Sequence, residues 1–176
     1  IMERLVGSEM CIRDRGVPMA AVGLLAMLPH IASFLFLNIG GYFADYLTNK
    51  GIKLIVVRKL CNSIAFGGSG ICLCIVPELN SVAGVIAIMC LGNVFGGFSA
   101  GGFIVNHADI GPEHTGKLMG ITNMVAAIPG FIGAIVTGMI LDATNSWDMV
   151  FYVVAGITFF GGIFYFLFAS TEKQFD

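Results

Sequence analysis

A small residue, an acid and a basic pair follow one another closely in the first half of the chain. Gly41 and Asp45 are separated by one helical turn, and Arg58 and Lys59 come shortly after them. Glycine lets two membrane helices touch, and a carboxylate at a helix end interacts with a neighbouring helix N-terminus or with basic side chains. Such a contact exists only while two bundles lie close together. The set therefore predicts a conformational latch, of which Asp109 is a further member, and the alternative is an interfacial aspartate that faces water.

The latch hypothesis also makes a prediction about distance. Asp45 is expected to lie near the start of a later apolar stretch, around Thr115 to Lys117.

Asn106 and His107 are polar residues near the end of a long apolar stretch. Polar groups at membrane depth are costly and usually face the bundle interior or a water-filled cavity. Histidine changes its charge between pH 5 and 8, so His107 could couple protons to transport. The alternative is that His107 and Asp109 cap a helix end and hold a loop in place. Asn123 is a secondary candidate for a binding site, with hydrogen bonding between helices as its alternative.

The composition indicates which elements must position these residues. Of 176 residues, 57% are hydrophobic and 11% are charged, and the mean hydropathy is +0.90. Soluble domains carry about 25% charged residues, so an ordinary soluble fold is excluded, and disorder is excluded by the same hydrophobicity. The sequence predicts an integral membrane protein whose partner is the lipid bilayer. A net charge of −2 gives no basic surface for nucleic acid.

Five apolar segments are long enough, or nearly so, to cross a bilayer, which takes about 20 residues. They are Met19 to Tyr46, Leu60 to Val76, Val82 to Val105, Leu118 to Leu141, and Val150 to Ala169. No segment alternates with period two, which makes a β-barrel improbable. The predicted fold class is all-α, a polytopic bundle of five transmembrane helices.

Basic residues predict the orientation of this bundle. Beyond residue 15, every lysine and arginine falls in the loops after segments one and three or in the C-terminal tail. Cytoplasmic loops carry the excess of Lys and Arg in membrane proteins. We therefore expect a multi-pass protein with a cytoplasmic C-terminus, in a membrane that the sequence does not identify.

Residues 1–15 differ from the rest of the chain. The run from Val6 to Arg15, VGSEMCIRDR, resembles the translation of a transposase sequencing adapter. We interpret 1–15 as a disordered sequencing artefact and 16–176 as the natural part of the chain. This interpretation predicts that the natural sequence continues upstream of Gly16. A short polar N-terminal arm is the alternative.

Two further patterns, one for a metal site and one for a serine protease, are weak in this sequence. The polar residues between His107 and His114 match no metal-ligand spacing, so no metal site and no cofactor are predicted. The run Gly67-Gly68-Ser69-Gly70 resembles the nucleophile motif of intramembrane serine proteases. Such an enzyme needs a histidine at similar depth, and small-residue helix packing is the better explanation. We predict no catalytic residues and no enzyme activity.

Several motifs, in order along the chain, carry a resemblance to a known family. They are Leu28-Pro29-His30, Gly41-x-x-x-Asp45, Val57-Arg58-Lys59, Asn106-His107-x-Asp109-Ile110-x-Pro112, Leu118-Met119-Gly120-Ile121-x-Asn123, Ile128-Pro129-Gly130 and Val150-Phe151-Tyr152. Together they resemble the anion–cation symporter branch of the major facilitator superfamily, which includes sodium–phosphate cotransporters, sialin and vesicular glutamate transporters. The five segments are similar to helices 8–12 of that family's twelve.

The resemblance implies a secondary active transporter that moves phosphate, glutamate or sialic-acid-like anions by cation-coupled alternating access. The coupling cation would be a proton or sodium, and an N-terminal transporter half would be a missing partner. Leu-Pro-His resembles the vesicular glutamate branch and makes His30 a substrate-pathway candidate beside Asn106, His107 and Asn123. The family's substrate-binding arginines lie in earlier helices, and no Arg or Lys lies inside the five segments. A non-transporting five-helix scaffold or binding protein is the alternative.

Overall fold

The computed structural model describes the backbone of residues 19–172 and the side chains of residues 27–172. The segment 1–15, interpreted above as a sequencing artefact, lies outside the described residues. The main helices are α1 Met19–Asn49, α2 Leu54–Ile75, α3 Val82–Gly97, α4 Phe103–Ile110, α5 Thr115–Thr144 and α6 Trp147–Phe168. Short 3₁₀ turns at Val76–Glu78, Phe98–Gly101 and Pro112–His114 join some of them.

Five helical segments are long and apolar enough to cross a membrane, and no strand occurs among the described residues. They are Met27–Asn49, Leu54–Glu78, Val82–Ile110, Pro112–Thr144 and Trp147–Phe168. The all-α fold class and the number of spans are therefore confirmed.

The start of α2 differs from the sequence prediction. The helix α2 begins at Leu54 rather than Leu60, so Arg58 and Lys59 lie within a helix and not in the preceding loop. The chain turns at Gly51, whose φ of +84° lies in the left-handed region that favours glycine. This early turn leaves Arg58 on the helix face that packs inward.

The third predicted span is interrupted. It consists of α3, the 3₁₀ turn Phe98–Gly101 and the short helix α4. Glycines at 96, 97, 101 and 102 surround the break, and glycine lowers helix stability. The break redirects the chain just before the residues 106–109 that were predicted to be functional.

Close contacts between α1 and the broken span hold one side of the bundle. A Cβ atom added at Gly97 would lie 2.5 Å from the backbone carbonyl carbon of Phe36. One added at Gly101 would lie 2.6 Å from the Cβ of Ala44. Small residues permit this approach, so Gly97 and Gly101 bring α1 close to the broken span. Gly92 faces Cys72, and Gly96 faces open space.

The remaining helices pack unequally. The helix α2 lies between α3 and α6, and its contact with them includes a core of Leu73, Val76, Val85, Phe151 and Ala155. By contrast, α5 contains no buried residue and contacts α4 and α6 only sparsely. The bundle therefore has a packed part made of α1 to α4 and α6, and α5 stands at its side.

The two ends of the bundle differ in charge. One end, here called the basic end, carries Lys50, Lys53, Arg58, Lys59 and Lys117. At the opposite end, the Tyr152 hydroxyl donates a hydrogen bond of 3.2 Å to Glu78. No lysine or arginine occurs at that opposite end within the described residues.

Candidate functional site

A buried ion pair at the basic end joins α2 to α4. Arg58 Nε donates to one carboxylate oxygen of Asp109 at 2.7 Å, and Nη2 donates to the other at 3.2 Å. The side chains are 8% and 13% exposed. Bidentate pairing of arginine with a carboxylate fixes geometry as well as energy. Two members of the predicted latch are thus held together across 51 residues of sequence.

The same arginine also donates a hydrogen bond to the backbone of the broken span. Arg58 Nη1 donates to the carbonyl oxygen of Gly101 at 3.0 Å. This carbonyl lies in the break between α3 and α4, where regular helical hydrogen bonds stop. A single side chain from α2 therefore connects the break to Asp109 on α4.

The other predicted latch residues lie apart from the ion pair. The Asp45 side chain is exposed, and its carboxylate makes no hydrogen bond or ion pair within the described range. The Lys59 ammonium stands over the ring of Phe166 at 5.5 Å, and Gly41 faces open space. The latch role of these three residues stays a prediction.

The predicted proximity of Asp45 to residues 115–117 is not found. Helix α1, which carries Asp45, packs chiefly on α3, the 98–101 turn and α2. Helix α5, which begins at Thr115, contacts α4, α6 and the 112–114 turn instead. The prediction was wrong because Asp45 is exposed at the end of α1 and α5 packs against other elements.

A cleft of about 360 Å³ brings together three of the four predicted substrate or coupling residues. Asn106 and His107 come from α4, and Asn123 comes from the first turns of α5. Ligand sites are typically clefts of this size with an apolar lining and a few placed polar groups. The rest of the lining consists of Phe103, Ile104, Ile110, Met119, Thr122, Ala126 and Tyr165.

The hydrogen bonds of the cleft residues determine what they can offer a ligand. His107 Nδ1 lies 3.1 Å from the carbonyl oxygen of Ile104. This contact ties Nδ1 to the backbone of α4. Thr122 donates its hydroxyl to Leu118 of its own helix. The cleft is thus lined by hydrogen-bonding side chains, with no lysine or arginine among its lining residues.

His30 lies outside this cleft. It is exposed on α1, a helix that does not line the cleft. Its role as a substrate-pathway residue stays a prediction that depends on other parts of the protein.

Two polar residues of this region were missed in the sequence. Tyr165 lines the cleft and comes from α6, where it sits within an aromatic run typical of lipid-facing helices. Asn62 is 1% exposed and lies one turn after Arg58 on α2. That spacing was a usable signal, since residues four apart share a helix face.

The Ser69 hydroxyl makes its hydrogen bond within its own helix. It donates to the carbonyl of Ala65 at 2.6 Å. No histidine of the described chain is hydrogen-bonded to it, and His107 bonds to Ile104 instead. The packing explanation of the Gly-rich run therefore agrees with the geometry: a Cβ at Gly68 would collide with Phe95.

Comparison with known proteins gives a family match over most of the chain. Residues 6–175 match the family described as Major Facilitator Superfamily. Over 158 residues the chain is 37% identical to "Probable anion transporter 6, chloroplastic" of Arabidopsis thaliana, covering 85% of this chain and 30% of that protein.

Two further relatives show similar identity. The "Ascorbate transporter, chloroplastic" of Arabidopsis thaliana is 36% identical over 88% of this chain and 28% of its own length. "Vesicular glutamate transporter 2" of Homo sapiens is 36% identical over 90% of this chain and 28% of its own length. The chain thus spans less than a third of the length of these relatives.

Proposed function

Because this chain belongs to the major facilitator superfamily, we propose that it forms part of a secondary transporter for small anions. The relatives described above are anion, ascorbate and glutamate transporters, and the chain is a multi-pass membrane protein. In this proposal the substrate is an organic or inorganic anion such as phosphate, glutamate or a sialic-acid-like molecule.

One observation carries the proposal beyond the family. The cleft that brings Asn106, His107 and Asn123 together opens beside the buried Arg58–Asp109 pair. Alternating access requires a binding site and a polar contact that stabilises one conformational state and breaks in the other. The cleft and the ion pair could fill these two roles. The ion pair is proposed as the latch, with Asp45 and Lys59 at the basic end available to other parts of the transporter.

No lysine or arginine lines the cleft, and Arg58 is paired with Asp109. The charge of the anion would therefore be balanced by residues of a separate N-terminal half. The basic end is proposed to be cytoplasmic, following the distribution of lysine and arginine.

The direct test is transport by the complete reading frame that contains residues 16–176. The purified protein is placed in liposomes, and uptake of labelled phosphate, glutamate, ascorbate and sialic acid is measured with an inward proton or sodium gradient. We expect saturable uptake of at least one anion, accelerated by one of the two gradients. Uptake no greater than that of empty liposomes for all four anions would leave the scaffold or binding role as the better hypothesis.

A substitution at His107 tests the coupling part of the proposal. His107→Gln keeps a hydrogen-bonding side chain but removes the imidazole, which can both accept and donate a proton. We expect proton-driven uptake to fall by about tenfold, within the range typical of a coupling free energy, while anion exchange without a gradient continues. His114→Gln, outside the cleft, is the matched control. Equal loss in both variants, or in both modes of transport, would argue against coupling through His107.

A further inference from the structure

All the buried side-chain atoms that lack a hydrogen-bond partner, within the described residues, belong to three side chains. They are both amide atoms of Asn62, Oδ1 of Asn106 and the hydroxyl of Tyr165. Buried polar groups in proteins are nearly always paired, so each exception needs a physical reason. Finding every exception in one place points to a common reason.

These three side chains come from α2, α4 and α6 and lie close together. Asn106 and Tyr165 line the cleft described above. Tyr165 also lines a second cleft, of about 340 Å³, together with Asn62. We call Asn62, Asn106 and Tyr165 the polar layer.

The polar layer lies directly beside the latch ion pair. Asn62 follows Arg58 by one turn of α2, and Asn106 precedes Asp109 by one turn of α4. Asn62 also packs against the break, since a Cβ at Gly102 would lie 3.1 Å from its backbone nitrogen. Tyr165 lines the same cleft as Ile110, the residue that follows Asp109.

The hydrogen-bonding chemistry of the polar layer complements that of the ion pair. Arginine only donates hydrogen bonds, and an ionised aspartate only accepts them. The two amide oxygens can accept from Arg58, whereas the Tyr165 hydroxyl and the Asn62 amide nitrogen can donate to Asp109. While Arg58 and Asp109 bind each other, the buried polar atoms of the polar layer have no hydrogen-bond partner among the described residues.

We propose that Asn62, Asn106 and Tyr165 are positioning residues that hold Arg58 and Asp109 after the ion pair opens. The proposal rests on the proposed function, because it needs a transport cycle in which the pair opens. Separating two buried charges without new partners is strongly unfavourable. The polar layer supplies those partners within the protein. Its unpaired atoms destabilise the state in which Arg58 and Asp109 are paired.

The test compares thermal stability with transport kinetics in the complete transporter. Tyr165→Phe and Asn62→Leu remove unpaired polar atoms at nearly constant shape, and removing an unpaired buried group stabilises the state that contains it. We expect the unfolding midpoint to rise by about 2 °C. The maximal transport rate should fall about fivefold to tenfold, since a lost hydrogen bond raises the barrier to opening. For Asn62→Leu, whose side chain lies outside the proposed substrate cleft, KM should stay unchanged.

Tyr152→Phe is the matched control. It removes a hydroxyl from the same helix at the opposite end, where the hydroxyl already has Glu78 as a partner. We expect no gain in stability and no change in transport rate for this variant.

The outcomes separate the inference from the proposed function. If the unmodified protein moves no anion, the proposed function fails. If it transports but Tyr165→Phe lowers the unfolding midpoint, the hydroxyl already has a partner in the resting state and the inference is wrong. The inference is also wrong if Tyr165→Phe and Asn62→Leu both transport at the unmodified rate.

Discussion

Replacing Arg58 by methionine is expected to destabilise the bundle by about 3–5 kcal/mol, the usual cost of removing one partner from a buried pair. Both side chains of the pair are largely buried, so the substitution leaves the Asp109 carboxylate without a counter-charge. It also leaves the Gly101 carbonyl without the donor that it has in the native structure. The unfolding midpoint of the purified protein in lipid nanodiscs measures the loss.

A double substitution distinguishes a lost ion pair from lost packing. Arg58→Met combined with Asp109→Leu removes both charges, and replacement of a whole buried pair by apolar groups is often neutral or stabilising. We expect the double variant to be more stable than Arg58→Met alone. Lys59→Met is the neighbouring control, since Lys59 stands over an aromatic ring and has no carboxylate partner in the described structure. If Arg58→Met and Lys59→Met are equally stable, the ion pair does not stabilise the fold.

Substitutions at two adjacent glycines of α3 are expected to change stability in opposite directions. Gly97→Ala places a Cβ 2.5 Å from the Phe36 carbonyl carbon, which is backbone and cannot rotate away. We expect a loss of about 3 kcal/mol from forced separation of α1 and α3.

Gly96→Ala introduces the same methyl group into open space, where alanine should stabilise the helix by about 1 kcal/mol. The same thermal unfolding assay compares the two variants. A similar response in both would mean that α1 and α3 do not approach each other as closely as the structure shows.

The fold was predictable from hydrophobicity because a bilayer imposes a simple length rule on each span. The break between α3 and α4 was not, since glycine in a membrane helix serves both close packing and interruption. Gly97 and Gly101 lie where α1 approaches the broken span, and the same run of glycines also ends α3.

The site was predictable in its residues more than in its contacts. Arg58 and Asp109 were both named for the latch, yet their pairing depends on the angle at which α2 meets the broken span. Asp45 was predicted to make a close contact and is exposed. The environment of Asp45 is set by which helices pack against the end of α1, and the local sequence carries no information about that packing.

The grouping of Asn106, His107 and Asn123 also came from long-range packing. Each was identified separately because polar side chains are costly at membrane depth. That α4 and the first turns of α5 bring them to one cleft could not be read from spacing, since the Pro112–His114 turn sets the angle between the two helices.

The break in the third span also has a consequence for the order of synthesis. A chain that interrupts its helix inside hydrocarbon must find other partners for the freed backbone groups. Here the donor for the Gly101 carbonyl is a side chain of α2, which a ribosome makes first. Proteins are synthesised from the N-terminus, so the arginine is already in the membrane when the glycines emerge. The interrupted helix can therefore enter the bilayer after Arg58, the donor for its free carbonyl, is already in place.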